Sequence, residues 1–143
     1  EIRLSLVGSE MCIRDSCDTD YFLMRAAEAW LTYAEATART NGGTTTAEGA
    51  AAINEIRSRA NTTTKGSYSL DEILDEWARE FYFEGRRRTD LIRYGRFGGS
   101  SDYKWQWKGG VKEGTSFSAN LNIFAIPDTD LNANPNLKQN PGY

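Results

Sequence analysis

The stretch SLDEILDEWAREFYFEGRRRTDLIRYG, residues 69–95, decides the fold class. Ser69 with Glu72 three positions on is a capping box, and Tyr68 and Ile73 stand where a hydrophobic staple puts its two residues. Losing such a cap costs ~1 kcal/mol. Apolar residues then recur at Ile73, Leu74, Trp77, Ala78 and Phe81, one face of an α-helix, and the stripe resumes at Leu91 and Ile92 before Gly95 stops it. Gly85 interrupts the run. A glycine inside a helix costs ~1 kcal/mol relative to alanine, so the spacing predicts a long helix that is kinked at Gly85 or divided there in two.

Upstream, residues 21–40 carry a second helical stripe of Met24, Ala27, Leu31, Ala34 and Ala38, with Arg25, Glu28, Glu35 and Arg39 turned away. Its alanines combine high helix propensity with small volume, which lets a neighbouring helix approach closely. Asn41-Gly42-Gly43 ends it, and Thr46 can cap a following helix over residues 47–60, whose apolar residues are Ala50, Ile53, Ile56 and Ala60. So short a connection favours an antiparallel hairpin, in outline one helical-repeat unit. The expected fold is mainly α: a tetratricopeptide-like helical hairpin, a long helix, and an irregular C-terminal region.

The cluster Glu84, Arg86, Arg87, Arg88, Asp90 has two readings. Glu84 with Arg88 and Arg86 with Asp90 are i,i+4 pairs, and Asp90 with Arg93 is i,i+3, so a salt-bridge network along the helix is favoured over an anion site.

Past Gly95 the helical period vanishes. Tyr103, Trp105 and Trp107 alternate, and in an extended chain their rings share one face. Such a face serves sugar recognition, by stacking on the apolar face of a pyranose, and it serves equally to pin a loop onto a helical core. Pinning is the commoner use of large aromatics. Residues 120–126 alternate and read as a short strand or extended stretch ending at Pro127. Asp128 can cap a single turn through Leu131, Asn134-Pro135 and Asn140-Pro141-Gly142 favour turns, and the terminus is ordered if Leu137 and Tyr143 dock.

Composition narrows the function. In 143 residues there are 17 basic and 20 acidic side chains, for a net charge of −3, and 39% hydrophobic residues. An acidic balance argues against a nucleic-acid footprint. No run approaches the roughly 18 apolar residues of a membrane-spanning helix. The absence of histidine removes every His-based triad, His metal cluster and near-neutral proton shuttle. Cys12 and Cys17 are too few for a disulfide framework and are not spaced as C-x-x-C.

Residues 1–16, EIRLSLVGSEMCIRDS, show neither helical stripe nor alternation, and they lack the uninterrupted apolar run of a signal peptide. The string resembles conceptual translation of adapter read-through. Residues 1–17 are therefore expected to be a non-native or disordered leader, and neither cysteine has the small apolar residues before it that lipid attachment needs.

Four blocks in order, RAAEAWLTYAEA (25–36), AINEIRSRA (52–60), LDEWAREFYFEGRRRTDLIRYGRF (74–97) and IFAIPDTDLNANPNLKQNPGY (123–143), resemble the SusD/RagB family of outer-membrane glycan-binding lipoproteins. The Glu-Gly-Arg-Arg run with its Asp-Leu-x-Arg continuation and the Gln-Asn-Pro-Gly-Tyr ending are the most specific parts. The resemblance implies that residues 18–143 are the C-terminal part of a longer helical domain, whose exposed helix faces would promote self-association. It implies an oligosaccharide ligand, a SusC-like TonB-dependent outer-membrane transporter as partner, a place on the external face of the outer membrane, a lipid anchor outside these residues, no cofactor, and capture without bond cleavage. Tyr103, Trp105 and Trp107 are the sugar contacts this piece offers.

Two other readings compete. Glu80 and Glu84, one helical turn apart, could supply the paired acids of a glycoside hydrolase, which needs carboxylates about 5–10 Å apart; two acids on a charge-dense helix are more commonly a solvated face. The alanine-rich hairpin would also suit a tetratricopeptide-type protein-interaction module that binds no sugar. Phosphate-loop and nucleophile-elbow patterns are not met at residues 95–101 and 114–118.

Overall fold

The structure, a computed structural model, describes residues 22–99 and 102–143. The expected leader and the expected helix start at Tyr21 lie outside them. In order the helices are α1 (Ala26–Thr40), α2 (Ala47–Arg59), α3 (Leu70–Glu80), α4 (Arg87–Arg93) and α5 (Asp128–Ala133), with 3-10 turns at Lys108–Gly110 and Ala119–Asn122. None of them is long and apolar enough to cross a membrane.

Helix α1 starts later than its periodicity suggests. Arg25 stands before it in an extended conformation, φ −131° and ψ 153°. Its guanidinium is held there by Glu80 Oε1 at 2.8 Å, the Glu80 carbonyl at 2.7 Å and both carboxylate oxygens of Glu84 at 2.8 and 2.9 Å. Met24 consequently falls outside the helix, exposed to solvent. Downstream, Ala27, Leu31, Ala34 and Ala38 bury against Ala50, Ala52, Ile53 and Ile56 of α2 and against Tyr68, Ile73, Trp77 and Phe81.

The caps of α2 and α3 form as read. The Thr46 hydroxyl accepts from Gly49 N at 3.2 Å. Ser69 accepts from Glu72 N at 3.3 Å while Glu72 Oε2 accepts from Ser69 N at 2.8 Å, and Tyr68 and Ile73 are both in the core. The α1–α2 turn is stitched to the approach to α3, since Thr45 N donates to the Tyr68 carbonyl at 2.9 Å and Leu70 N to the Gly43 carbonyl at 3.1 Å. Arginines then tie α2 to α3: Arg57 meets Glu76 at 2.6 Å, and Arg59 pairs with Glu80.

The long helix is two. Helix α3 stops at Glu80 and α4 begins at Arg87. Gly85, at φ 72°, takes the left-handed conformation that a helix excludes, and Phe83 joins it at φ 63°. The break redirects the charges. Arg86 reaches back to Glu28 at 2.6 Å and Glu84 to Arg25 at 2.8 Å, so these ties run between segments where pairs within one helix were expected; Asp90 with Arg93, at 2.9 Å, forms as read.

At the C-terminal end, the expected strand over 120–126 is a 3-10 turn, capped by Ser118, followed by extended chain. Alternation needs a partner strand, and among the described residues only isolated bridges form, Thr44 with Ser69 and Gly98 with Phe117. The tail supplies a side-chain substitute: Gln139 accepts from Ile126 N and donates to the Ile126 carbonyl, both at 2.9 Å. Tyr143 docks by donating to the Ile123 carbonyl at 2.8 Å. Helix α5 runs to Ala133, longer than the single turn expected, with Pro127 and not Asp128 at the cap.

Candidate functional site

Among the described residues, the charged groups around Glu35, those around Arg25 and an aromatic loop bear most directly on function. The first assembly is centred on Glu35, read from its position as solvent-facing. It is only 4% exposed. Its carboxylate accepts from Trp77 Nε1 at 3.1 Å and from Arg39 Nε at 2.8 Å, and pairs with Arg93, so α1, α3 and α4 meet on it. Burial opposes ionisation, yet the Arg93 and Arg39 hydrogen bonds outweigh it and hold the carboxyl below the usual range. The group is a structural anion.

The second assembly contains the acid pair Glu80 and Glu84. Both carboxylates engage Arg25, which also lies over the Phe81 ring at 4.3 Å, and Glu80 takes Arg59 as well. Burial works against the Glu80 charge, but the Arg59 and Arg25 hydrogen bonds prevail and lower its pKa. A hydrolytic general acid must keep its proton near neutrality. Glu80 is tuned the other way.

The aromatic loop leaves α4 and returns near Thr115. Tyr103 and Trp105 come together, with ring centroids 6.2 Å apart, and Trp105 meets Phe117 edge-on at 6.4 Å. Phe117 also contacts Phe97 at 5.3 Å, and Arg87 donates to the Tyr103 hydroxyl at 2.9 Å while bonding the Leu74 carbonyl at 2.9 Å. These contacts tie the loop to α3 and α4. Trp105 remains 38% exposed. Trp107 departs from the shared face, because the chain turns at residues 106–107 and Trp107 itself is left-handed, φ 66° and ψ 10°. The residue is 64% exposed and, among the described residues, outside the aromatic cluster.

Sequence reasoning missed the residue that organises this loop. Lys108 is 1% exposed. Its Nζ donates to the carbonyls of Phe97 and Tyr103, each at 2.9 Å, and lies 4.5 Å from the Trp105 ring centroid and 4.9 Å from that of Phe117. Burial pushes this ammonium below the usual lysine range, and the Lys104 charge adds to the effect. The signal was a lysine between three aromatics and a Gly-Gly turn. Backbone bonds close the loop: Lys108 N donates to the Trp105 carbonyl at 3.1 Å and Thr115 N to the Lys108 carbonyl at 3.0 Å.

A helix hairpin packed through its alanines and tied by arginine–carboxylate pairs to the segments that follow it, with helices broken at Gly85 and an aromatic loop, defines an α-helical scaffold of tetratricopeptide-like architecture. The model of the SusD family matches residues 14–143, and the chain belongs to that family. It is 51% identical over 127 residues, 88% of its length, to the starch-binding protein SusD of Bacteroides thetaiotaomicron, and it spans 22% of that relative. Among solved structures it resembles the surface glycan-binding protein A of Bacteroides uniformis (TM-score 0.68, 32% identity, 84% of this chain and 27% of that one). A SusD superfamily protein of Parabacteroides distasonis shares the fold, with TM-score 0.72 at 23% identity over 90% of this chain and 28% of the other.

Proposed function

We propose that this chain belongs to a non-catalytic glycan-binding component of an outer-membrane polysaccharide uptake system, which captures oligosaccharide at the external face and delivers it to a SusC-like TonB-dependent transporter. The observation that carries the reading is the 51% identity, over 88% of this chain, to a relative named for starch binding. That relative makes a neutral α-glucan the first ligand to test.

Capture is the work of surfaces. The described residues offer partly exposed rings at Tyr103, Trp105 and Trp107, and the apolar face of a pyranose stacks on such rings while nearby polar groups satisfy its hydroxyls. Glu80, tied by arginines, suits a binding scaffold better than a hydrolase. A bound chain therefore leaves intact.

Isothermal titration of the full chain with maltoheptaose, with cellohexaose as comparison, tests the proposal. Saturable binding of the α-glucan, weakened in Trp105→Ala, is expected. A flat titration with both sugars overturns the glycan reading, and release of reducing ends from either overturns the non-catalytic one.

A further inference from the structure

We infer that the groove beside the α3–α4 break is an intramolecular docking surface, which receives an apolar, carboxylate-bearing segment from the part of a longer SusD-family polypeptide that this chain does not span. The inference rests on the balance of charge and on family membership, and it is independent of the glycan reading above.

Among the described residues, every arginine except Arg87 and Arg88 stands against a carboxylate. Those two are partly buried and hydrogen-bonded, but to neutral acceptors. Arg87 donates to the Leu74 carbonyl and the Tyr103 hydroxyl, each at 2.9 Å. Arg88 donates to the Leu121 carbonyl at 2.7 Å and lies 4.0 Å from the Phe124 ring centroid. Carbonyls and ring faces orient a guanidinium without cancelling its charge, and a carboxylate is the partner its planar fork matches. The acids nearest in sequence are already engaged, Glu84 by Arg25 at 2.8 Å and Asp90 by Arg93 at 2.9 Å.

The two uncompensated cations border one cavity. Arg87 and Arg88 line a groove of about 520 Å³ together with Trp77, Phe81, Tyr82 and Phe83. Phe83 enters it with a left-handed backbone, φ 63°, and its ring meets Tyr82 edge-on at 4.4 Å. Strain of this kind persists where surroundings over-determine it, and little of this chain surrounds Phe83. The surface therefore asks for apolar side chains on its floor and for negative charge at its edge.

That chemistry selects the occupant. A neutral sugar brings no counter-charge. A second copy meeting this face about a two-fold axis would set Arg87 and Arg88 against their own equivalents, which repel. The chain spans 22% of its starch-binding relative, so most of such a polypeptide lies outside it and can supply the segment.

The test titrates the full chain with overlapping labelled peptides that cover the part of the Bacteroides thetaiotaomicron relative outside the matched residues, read by fluorescence anisotropy. One contiguous stretch with Asp or Glu beside apolar residues should bind saturably, and less tightly as salt rises. Replacing its acids by Asn or Gln should weaken binding about tenfold, as loss of a bond between charged groups implies. In the chain, Arg88→Gln should do the same while Arg88→Lys, which keeps the charge, retains most of the affinity; matching circular dichroism spectra show that both variants fold. Should Arg88→Gln not fold, the amide-substituted peptides decide. Equal binding of acidic and amide peptides, no binding by any peptide, or a dimer in sedimentation that Arg88→Gln dissolves overturns the inference.

Discussion

Replacing Glu35 by alanine tests whether its buried carboxylate holds the three helices together. The substitution removes the acceptor of the Trp77 indole N–H, a buried bond to a charged group worth about 1.5–3 kcal/mol. It also strips Arg93 of a partner, although Arg93 keeps Asp90 at 2.9 Å and is 38% exposed on its side chain, so water recovers part of that loss. The Arg39 pair, largely exposed on the arginine side, adds about 0.3–0.5 kcal/mol. The total is about 3 kcal/mol, or roughly 10 °C in Tm for a chain of this size. Urea unfolding followed by Trp fluorescence and by circular dichroism reads it. Glu35→Gln, which retains a carbonyl for Trp77 but no charge, should recover about half. Because the folded carboxyl sits below its unfolded value of about 4.3, its stabilisation is complete above about pH 5 and fades as pH falls through the folded pKa. The alanine penalty should therefore shrink at pH 3. A Glu35→Ala cost below 1 kcal/mol at pH 7, or one that is independent of pH, would refute the reasoning.

Acid should loosen the start of α3 in the same direction. The Lys65 ammonium, followed by the Ser69 backbone N–H, draws the Glu72 carboxyl down to about 2, so the capping box is intact above the unfolded value and lost as pH drops toward 2. Ser69→Ala should cost about 1 kcal/mol in urea unfolding at pH 7, and a cost under 0.3 kcal/mol would contradict the cap. At the α3–α4 break, Phe83 is 89% exposed with φ 63°, so Phe83→Gly should stabilise the chain by about 1 kcal/mol, read as a higher Tm. A lower Tm would mean the Phe83 ring contributes more than its exposure implies.

What was legible in the sequence is what short-range physics decides. Ser69 and Glu72 announce a cap because both partners lie within one turn, Gly85 announces a break because its backbone freedom is intrinsic, and the alanine stripe announces a hairpin through its own period. The ring triad was legible as a set, yet its shared face depended on an extended chain, and the turn at residues 106–107 removed Trp107 from it. Periodicity also misassigned Glu35, because a polar residue on a helix reads as solvent-facing until its donors are known. Those donors stand 42 and 58 positions away, at Trp77 and Arg93.

The same holds for Arg25, whose acceptors at Glu80 and Glu84 are 55 and 59 positions distant, and for Lys108, whose burial requires the Phe97 carbonyl and the Phe117 ring to arrive together. Sequence by itself settled the helical class, the caps at Thr46 and Ser69 and the break at Gly85, since each is a competition among neighbours along the chain. Tertiary structure alone decided which charges are buried and which ring faces water. A desolvated charge is tolerated only where several distant donors or acceptors converge, and no local pattern encodes that convergence.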